Sequence, residues 1–174
     1  LIALFLWLNA QPAFEKFGFR FFTTSSWDPV QDQYGALPVI FGTVVSSLLA
    51  VLLSAPLSIG AALFLVELSP QKFANVLGFF IQMLASIPSV VYGFWGIFVL
   101  APWLRSVVEP WLNRYFGFLP FFQGPAYGVG MLAAGVILAI MIAPTICSIS
   151  REVFYTIPQT QREAALALGA TRWE

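Results

Sequence analysis

The chain has 174 residues, of which 59% are apolar, 17% aromatic and only 9% charged. Soluble domains carry about a quarter charged residues, so this composition excludes an ordinary water-soluble domain and is typical of a membrane protein. Eight Lys and Arg residues balance eight Asp and Glu residues, which leaves no basic excess to bind nucleic-acid phosphates. His is absent and Cys147 is the only cysteine, which argues against zinc sites and His-dependent hydrolysis.

The first segment, 1–9, is apolar but too short to cross a bilayer, and it has neither an initiator Met nor a basic flank. We interpret it as part of a truncated spanning helix. The sequence also stops at Glu174 inside a helical pattern, so we expect the chain to be a fragment. The next segment, 10–36, mixes aromatic residues with Pro, Gly and charge and is predicted to lie outside the membrane.

Three long segments contain no charged residue: Gln33–Val66, Phe73–Leu104 and Tyr115–Ser150. Each exceeds the about 20 residues that a helix needs to cross about 30 Å of hydrocarbon. A charged group at the bilayer centre costs roughly 2.5 to 3.5 kcal/mol, so charge-free segments of this length indicate spans. We predict an all-α, polytopic membrane bundle. The predicted spans are 37–66, 76–103 and 126–150.

Proline and glycine interrupt the predicted spans. Pro56 removes a backbone hydrogen bond from the first span and is expected to bend it. The second span contains IPSVVYGFWG, and its Pro88, Gly93 and Gly96 are typical of broken helices that line protein interior. The short link 67–75 predicts that the first two spans form an antiparallel hairpin.

The third span begins with closely spaced small residues. They are Gly124, Gly128, Gly130, Ala133, Ala134 and Gly135. Small residues let helix backbones approach closely, so we predict that this face packs on another helix. The alternative is a scatter of small residues on a lipid-facing helix, because Gly is common in spanning helices. Four aromatic side chains of the kind that favour the headgroup boundary lie in or beside the preceding connection, 104–125. They are Trp103, Trp111, Tyr115 and Tyr127.

After the third span the chain becomes polar, over 151–174. Pro158 is expected to end a helical extension of the span. Thr160 and Glu163 fit a capping box, which predicts a second short helix from about Gln161. Two interpretations of this helix stay open. It docks into the groove of a partner, or it lies on the lipid headgroups with Glu163 acting only as a cap.

The run EAALALG in this second helix resembles a signature of the membrane subunits of ABC-type importers, namely Glu, Ala, Ala, three residues and Gly. Glu163, Ala164, Ala165 and Gly169 match it position by position. Three further runs, GALPVIFGT, IPSVVYGFWGIFVLAP and GVILAIMIAP, make the chain similar to the PstC-type permeases of phosphate importers. This resemblance extends from about Trp27 to the end of the sequence.

The resemblance implies a type I importer permease fold, also called MetI-like, with spans around a path for phosphate across the inner membrane. It implies three partners: a sister permease, an ABC ATPase dimer and a periplasmic phosphate-binding protein. ATP and Mg would be used by the ATPase, while this chain would bind no cofactor or metal and catalyse no reaction. The four signature residues would couple closure of the ATPase to movement of the spans.

The resemblance also orients the chain in the membrane. It implies that 67–75 and 151–174 are cytoplasmic and that 10–36 and 104–125 are periplasmic. The positive-inside rule gives no orientation, because the eight basic residues divide equally between the two sides.

A phosphate ion inside uncharged spans would have to be met by hydroxyl, amide and backbone donors. The candidates are Gln82, Ser86, Ser89 and Tyr92. The alternative is that the Ser and Tyr hydroxyls bond to backbone carbonyls that the proline frees. Arg151, at the inner boundary, either receives an anion that leaves the path or extends to the lipid headgroups.

Three other functions stay open. A permease for another oxyanion, molybdate or sulfate, would share the cytoplasmic signature. A secondary transporter is less favoured, since it uses an ionisable residue inside a span and these spans have none. A membrane scaffold without transport activity is the third, and copurification with an ATPase would distinguish an importer from it.

Overall fold

The computed structural model describes residues 1–118 and 128–169, apart from the side chains of Gln159, Arg162, Ala165 and Leu166. The chain divides into two compact units, Leu1–Val45 and Ser46–Glu174. The first unit contains helices α1 (Ile2–Phe17) and α2 (Arg20–Thr23), strands β1 (Trp27–Asp28) and β2 (Gln33–Tyr34), and the start of helix α3 (Leu37–Leu63).

Helix α1 is longer than the apolar segment 1–9 that predicts it, since it continues through Pro12 to Phe17. Gly18 ends the helix with a φ of 54°, and its N–H donates to the Phe14 carbonyl at 2.8 Å. The remainder of the predicted connection 10–36 is also ordered, since β1 and β2 form an antiparallel hairpin. Trp27 pairs with Tyr34 in that hairpin.

The second unit is helical. Helix α3 continues through a π-helical turn, Phe64–Leu68, and gives one apolar helix over Leu37–Leu68. Only Ser69 and Pro70 separate this helix from α4 (Gln71–Ala85), as expected for a short link between neighbouring helices. Every fourth residue of α3 is buried, in a narrow stripe of small side chains. The stripe consists of Ser46, Ala50, Ser54, Ser58 and Ala62.

The chain breaks after α4 and restarts at Pro88, which differs from the single span predicted over 76–103. Proline has no N–H to donate, and it disfavours helical backbone at the residue before it. A helical run then continues from Ser89 to Phe116, into the predicted connection 104–125. The run consists of α5 (Ser89–Trp95), a π-helical turn (Gly96–Leu100), α6 (Ala101–Trp103), a second π-helical turn (Leu104–Val108) and α7 (Glu109–Phe116).

Helix α8 (Met131–Tyr155) lies against several other elements of the second unit. It packs on α4 more extensively than any other pair of described elements packs together. One buried cluster joins Cys147 of α8 to Ala62 and Leu65, with Ile81 of α4 packed against it. A second cluster joins Ala133 of α8 to residues of the 89–116 run. Its other buried members are Leu100 and Leu104.

The small residues predicted to face another helix divide into two groups. Ala133 and Gly135 are buried on α8, and a β carbon on Gly135 would contact the Leu49 side chain of α3, so the prediction is confirmed for these two. Gly128, which precedes α8, is also buried, and a β carbon there would contact the Ala101 carbonyl of α6. Ala134 is exposed, and a β carbon on Gly130 would meet nothing within 4 Å. Gly124 lies outside the described residues.

Three described helices are long and apolar enough to cross a membrane: Leu37–Leu68, Ser89–Phe116 and Met131–Tyr155. The number agrees with the prediction, although the middle helix is displaced along the sequence. Helix α9 (Gln159–Ala167) follows α8 after a turn of three residues.

Candidate coupling segment and helix break

The turn between α8 and α9 is built on Pro158. Helix α8 passes through Arg151 and ends at Tyr155, before the proline, as the sequence predicts. The next helix starts directly after Pro158, whose carbonyl accepts a hydrogen bond from the Gln161 N–H at 3.1 Å. Pro158 therefore both stops one helix and begins the next.

The predicted capping box is wrong. Helix α9 begins at Gln159, so Thr160 lies in its first turn and not at the N-cap position. The proline supplies the helix start that the sequence pattern assigns to Thr160. Glu163 lies further along the helix and is exposed.

The signature residues on α9 are open to a partner where their side chains are described. Glu163 and Ala164 are exposed, and Leu168, just beyond the helix, is 90% exposed. The Leu168 N–H donates to the Ala164 carbonyl at 3.1 Å. Ala165 belongs to the helix by its backbone, but its side chain lies outside the described part of the chain.

Gly169 ends α9 by its backbone conformation. Its φ is 89°, in the left-handed region that glycine adopts without a steric penalty. Glycine in this conformation is the common terminator of α-helices. The signature glycine therefore has a structural role in addition to its small size.

The helix break at residues 86–88 uses two of the four hydroxyl and amide candidates. The Ser86 hydroxyl donates to the Gln82 carbonyl at 2.9 Å, and the Tyr92 hydroxyl donates to the Leu84 carbonyl at 3.0 Å. Both hydroxyl protons thus serve backbone carbonyls in this conformation, which is the alternative that the sequence left open. Neither proton is available to an anion here.

Gln82 and Ser89 flank the same break. Both side chains are exposed on this chain, and within the described residues neither the amide nor the hydroxyl has a hydrogen-bond partner. These two groups remain able to donate to a solute or to another subunit. No three His, Cys, Asp or Glu side chains in segments 1–118 and 128–169 could hold a metal ion.

Arg151 lies against the backbone of α4, an arrangement that neither sequence interpretation anticipates. Its Nη2 donates to the Ala74 carbonyl at 3.5 Å, and a β carbon on Gly78 would contact its guanidinium. The guanidinium carbon is 6.0 Å from the centre of the Tyr155 ring. The spacing of Ala74 and Gly78, four residues apart, is the signal in the sequence that could have identified a close contact on α4.

The sequence and this arrangement agree with a known family. The model of the family described as binding-protein-dependent transport system inner membrane component matches residues 54–174. The chain belongs to this family. The matched region includes the helix break, α8 and the EAALALG run, and the chain is therefore a multi-pass membrane protein with the all-α fold of these transport components.

Several similar proteins from this family are named as phosphate transport permeases. The phosphate transport system permease protein PstC of Mesorhizobium japonicum is 45% identical over 177 residues, which cover 99% of this chain and 54% of that protein. The protein of the same name from Xylella fastidiosa strain 9a5c is 47% identical over 173 residues, or 97% of this chain and 53% of that protein.

A more distant relative comes from an archaeon. The probable phosphate transport system permease protein PstC of Methanocaldococcus jannaschii is 37% identical over 179 residues, with 100% of this chain and 57% of that protein covered. The chain thus spans about half the length of the curated relatives it matches. No solved structure matches it.

Proposed function

We propose that this chain is part of the permease subunit of an ATP-driven importer that carries inorganic phosphate across the inner membrane. The observation that carries the proposal is the position of α9. This helix follows the last spanning helix after three residues and exposes Glu163 and Ala164 of the family signature. The names of the relatives supply the substrate.

The proposed partner of α9 is the surface of an ABC ATPase dimer. The small residues Ala164, Ala165 and Gly169 let α9 approach that surface closely. The exposed Glu163 carboxylate can accept hydrogen bonds from basic or N–H groups of the ATPase. Closure of the ATPase, driven by Mg-bound ATP, displaces α9, and the short turn passes the displacement to α8. The spans then switch between outward and inward access.

The remaining partners follow from the same proposal. A sister permease covers part of the exposed apolar surface and completes the path, and a periplasmic phosphate-binding protein delivers the solute. This chain carries out no bond chemistry. It converts movement of the ATPase into access for phosphate.

We assign direct contact with phosphate to Gln82 and Ser89. Phosphate needs hydrogen-bond donors in an uncharged span, and the Gln82 amide and the Ser89 hydroxyl are both exposed and unpaired among the described residues. We assign no direct contact with phosphate to Ser86, Tyr92 or Arg151, because the side chain of each one already donates to a backbone carbonyl of α4.

The test is reconstitution of the full-length protein with its sister permease, ATPase and binding protein in proteoliposomes. We expect uptake of radiolabelled phosphate that requires internal ATP and that excess unlabelled phosphate abolishes. An ATPase variant that binds but does not hydrolyse ATP is the control and should give no uptake.

Each other outcome contradicts a specific part of the proposal. Uptake of molybdate or sulfate in preference to phosphate would identify a permease for another oxyanion. Phosphate uptake driven by an ion gradient without ATP would identify a secondary transporter. Failure of the ATPase to copurify with the full-length protein would favour a scaffold.

A further inference from the structure

We propose that Arg151 is a positioning residue that makes α4 move together with α8. A displacement of α9 is then transmitted through α8 to the break between α4 and α5. This inference rests on the proposed function and specifies how its movement is transmitted. It depends on the contact between the Arg151 guanidinium and the backbone of α4 at Ala74 and Gly78.

The contact is possible only because residue 78 is glycine. A β carbon there would lie against Nη1, 2.6 Å from Nη2 and 2.7 Å from Cζ of Arg151. The three nearest heavy atoms to that β carbon all belong to the guanidinium. Gly78 therefore provides the space into which Arg151 fits, and α4 and α8 approach closely at this level.

The position of Arg151 along the chain makes the contact a link between two sites. Arg151 lies on α8, eight residues before α9 begins at Gln159. Gly78 lies one helical turn before Gln82, the residue that flanks the break and that we assign to phosphate. A movement of the coupling helix that displaces Arg151 would thus displace the segment of α4 that leads to the proposed path.

The contact holds α4 against α8 by packing more than by hydrogen bonding. The single hydrogen bond to α4, at 3.5 Å, is long for an N–H···O bond. The Arg151 Nε is buried and, among the described residues, has no hydrogen-bond partner. Packing over Gly78 and proximity to helix carbonyls hold the guanidinium, so its removal should alter movement more than folding.

The experiment uses the full-length importer and compares Arg151→Ala, Gly78→Ala and the double variant. We expect each single variant to reduce the phosphate imported per ATP hydrolysed by about fivefold, the lower range of typical coupling effects. The double variant should be no worse than Arg151→Ala, because the three atoms nearest to the added β carbon all belong to the guanidinium that Arg151→Ala removes. Equal copurification of the ATPase shows that the complex has assembled.

The matched control is Gly60→Ala, at a helical glycine where a β carbon meets nothing within 4 Å. It should leave the ratio of phosphate to ATP unchanged. A loss as large as that of Gly78→Ala would overturn the proposal, as would independent, additive losses in the double variant. Arg151→Lys keeps the charge without the planar group and should restore only part of the ratio.

A distance measurement separates failure of this inference from failure of the proposed function. Nitroxide labels at exposed positions 75 and 152, introduced as Asn75→Cys and Glu152→Cys in a full-length protein without other cysteines and with Cys147→Ala, report on α4 and α8 without any need for transport. We expect a narrow distance distribution that Arg151→Ala broadens. An unchanged distance distribution would refute the role of Arg151 in holding α4 to α8, even if phosphate uptake is ATP-driven. Broadening of the distribution without phosphate uptake would refute only the phosphate function.

Discussion

Gly78 and Gly169 are needed for different physical reasons. Gly78 leaves room for a neighbouring guanidinium, while Gly169 adopts a left-handed backbone with φ of 89°. A β carbon on Gly169 would meet nothing within 4 Å on this chain. The first glycine is therefore limited by space and the second by backbone conformation.

This difference predicts the order of two Gly169 variants. Gly169→Ala should reduce phosphate uptake per ATP more than Gly169→Asn, since Asn tolerates left-handed backbone while other residues incur about 1–2 kcal/mol there. The measurement is the ratio of uptake to ATP hydrolysis in proteoliposomes. Gly130→Ala, at an open glycine with extended backbone, is the control and should behave like the parent protein.

The opposite order would be equally informative. If Gly169→Ala retains more coupling than the larger Gly169→Asn, then the ATPase surface limits the size of this residue and the helix terminator is secondary. The signature alone indicates only that the position is small, because a positive φ cannot be read from one glycine in an Ala-rich run.

At the break between α4 and α5, hydroxyl groups replace lost helical hydrogen bonds. The Leu84 carbonyl accepts from the Ile87 N–H at 3.2 Å and from the Tyr92 hydroxyl at 3.0 Å. The Tyr92 side chain thereby connects the start of α5 to the end of α4. Its contribution is one hydrogen bond across the break, worth about 0.5–1.5 kcal/mol.

Tyr92→Phe should therefore lower thermal stability slightly and leave the KM for phosphate unchanged. Gln82→Leu, which keeps the volume but removes the amide, should raise that KM about tenfold, consistent with about 1.4 kcal/mol for a lost donor. Uptake kinetics and a thermal unfolding assay on the same preparations measure both effects. A rise in KM for Tyr92→Phe would return its hydroxyl to the phosphate path.

At this scale the sequence predicts the kinds of element better than their limits. Pro88 correctly indicates an interruption, but the composition gives no sign that the next helix continues to Phe116, because π-helical turns and Arg105 do not stop it. The pattern at Thr160 suggests a helix start that Pro158 provides instead. The contact of Arg151 with Gly78 joins residues far apart in sequence, so local patterns cannot reveal it.

In the described part of the second unit, most buried residues are small, with Leu65, Leu100 and Leu104 as larger members, and many large apolar side chains are exposed. In the described part of the chain no large side chain is completely buried, while Leu57 is 75% exposed and Phe98 is 71% exposed. Spanning helices associate through close contact of small residues, because lipid already solvates the large apolar ones. The outward face is therefore expected to contact lipid and, in the proposed importer, the sister permease.

The proposed orientation predicts which exposed residues can be labelled from outside the cell. In the full-length protein without other cysteines, and with Cys147→Ala, Asn113→Cys should react with a membrane-impermeant maleimide in intact cells. Gln71→Cys and Thr160→Cys should react only after the membrane is opened. Labelling of Thr160→Cys in intact cells would place α9 on the outer side and contradict coupling to an ATPase.

The turn of three residues between α8 and α9 is hydrogen-bonded back onto the helix that precedes it. The Thr156 hydroxyl donates to the Val153 carbonyl at 2.7 Å, and the Ile157 N–H donates to the Phe154 carbonyl at 3.4 Å. Fully extended, three residues reach only about 10 Å, so α9 cannot separate far from the end of α8. We therefore expect a large displacement delivered to α9 to pull on the end of α8.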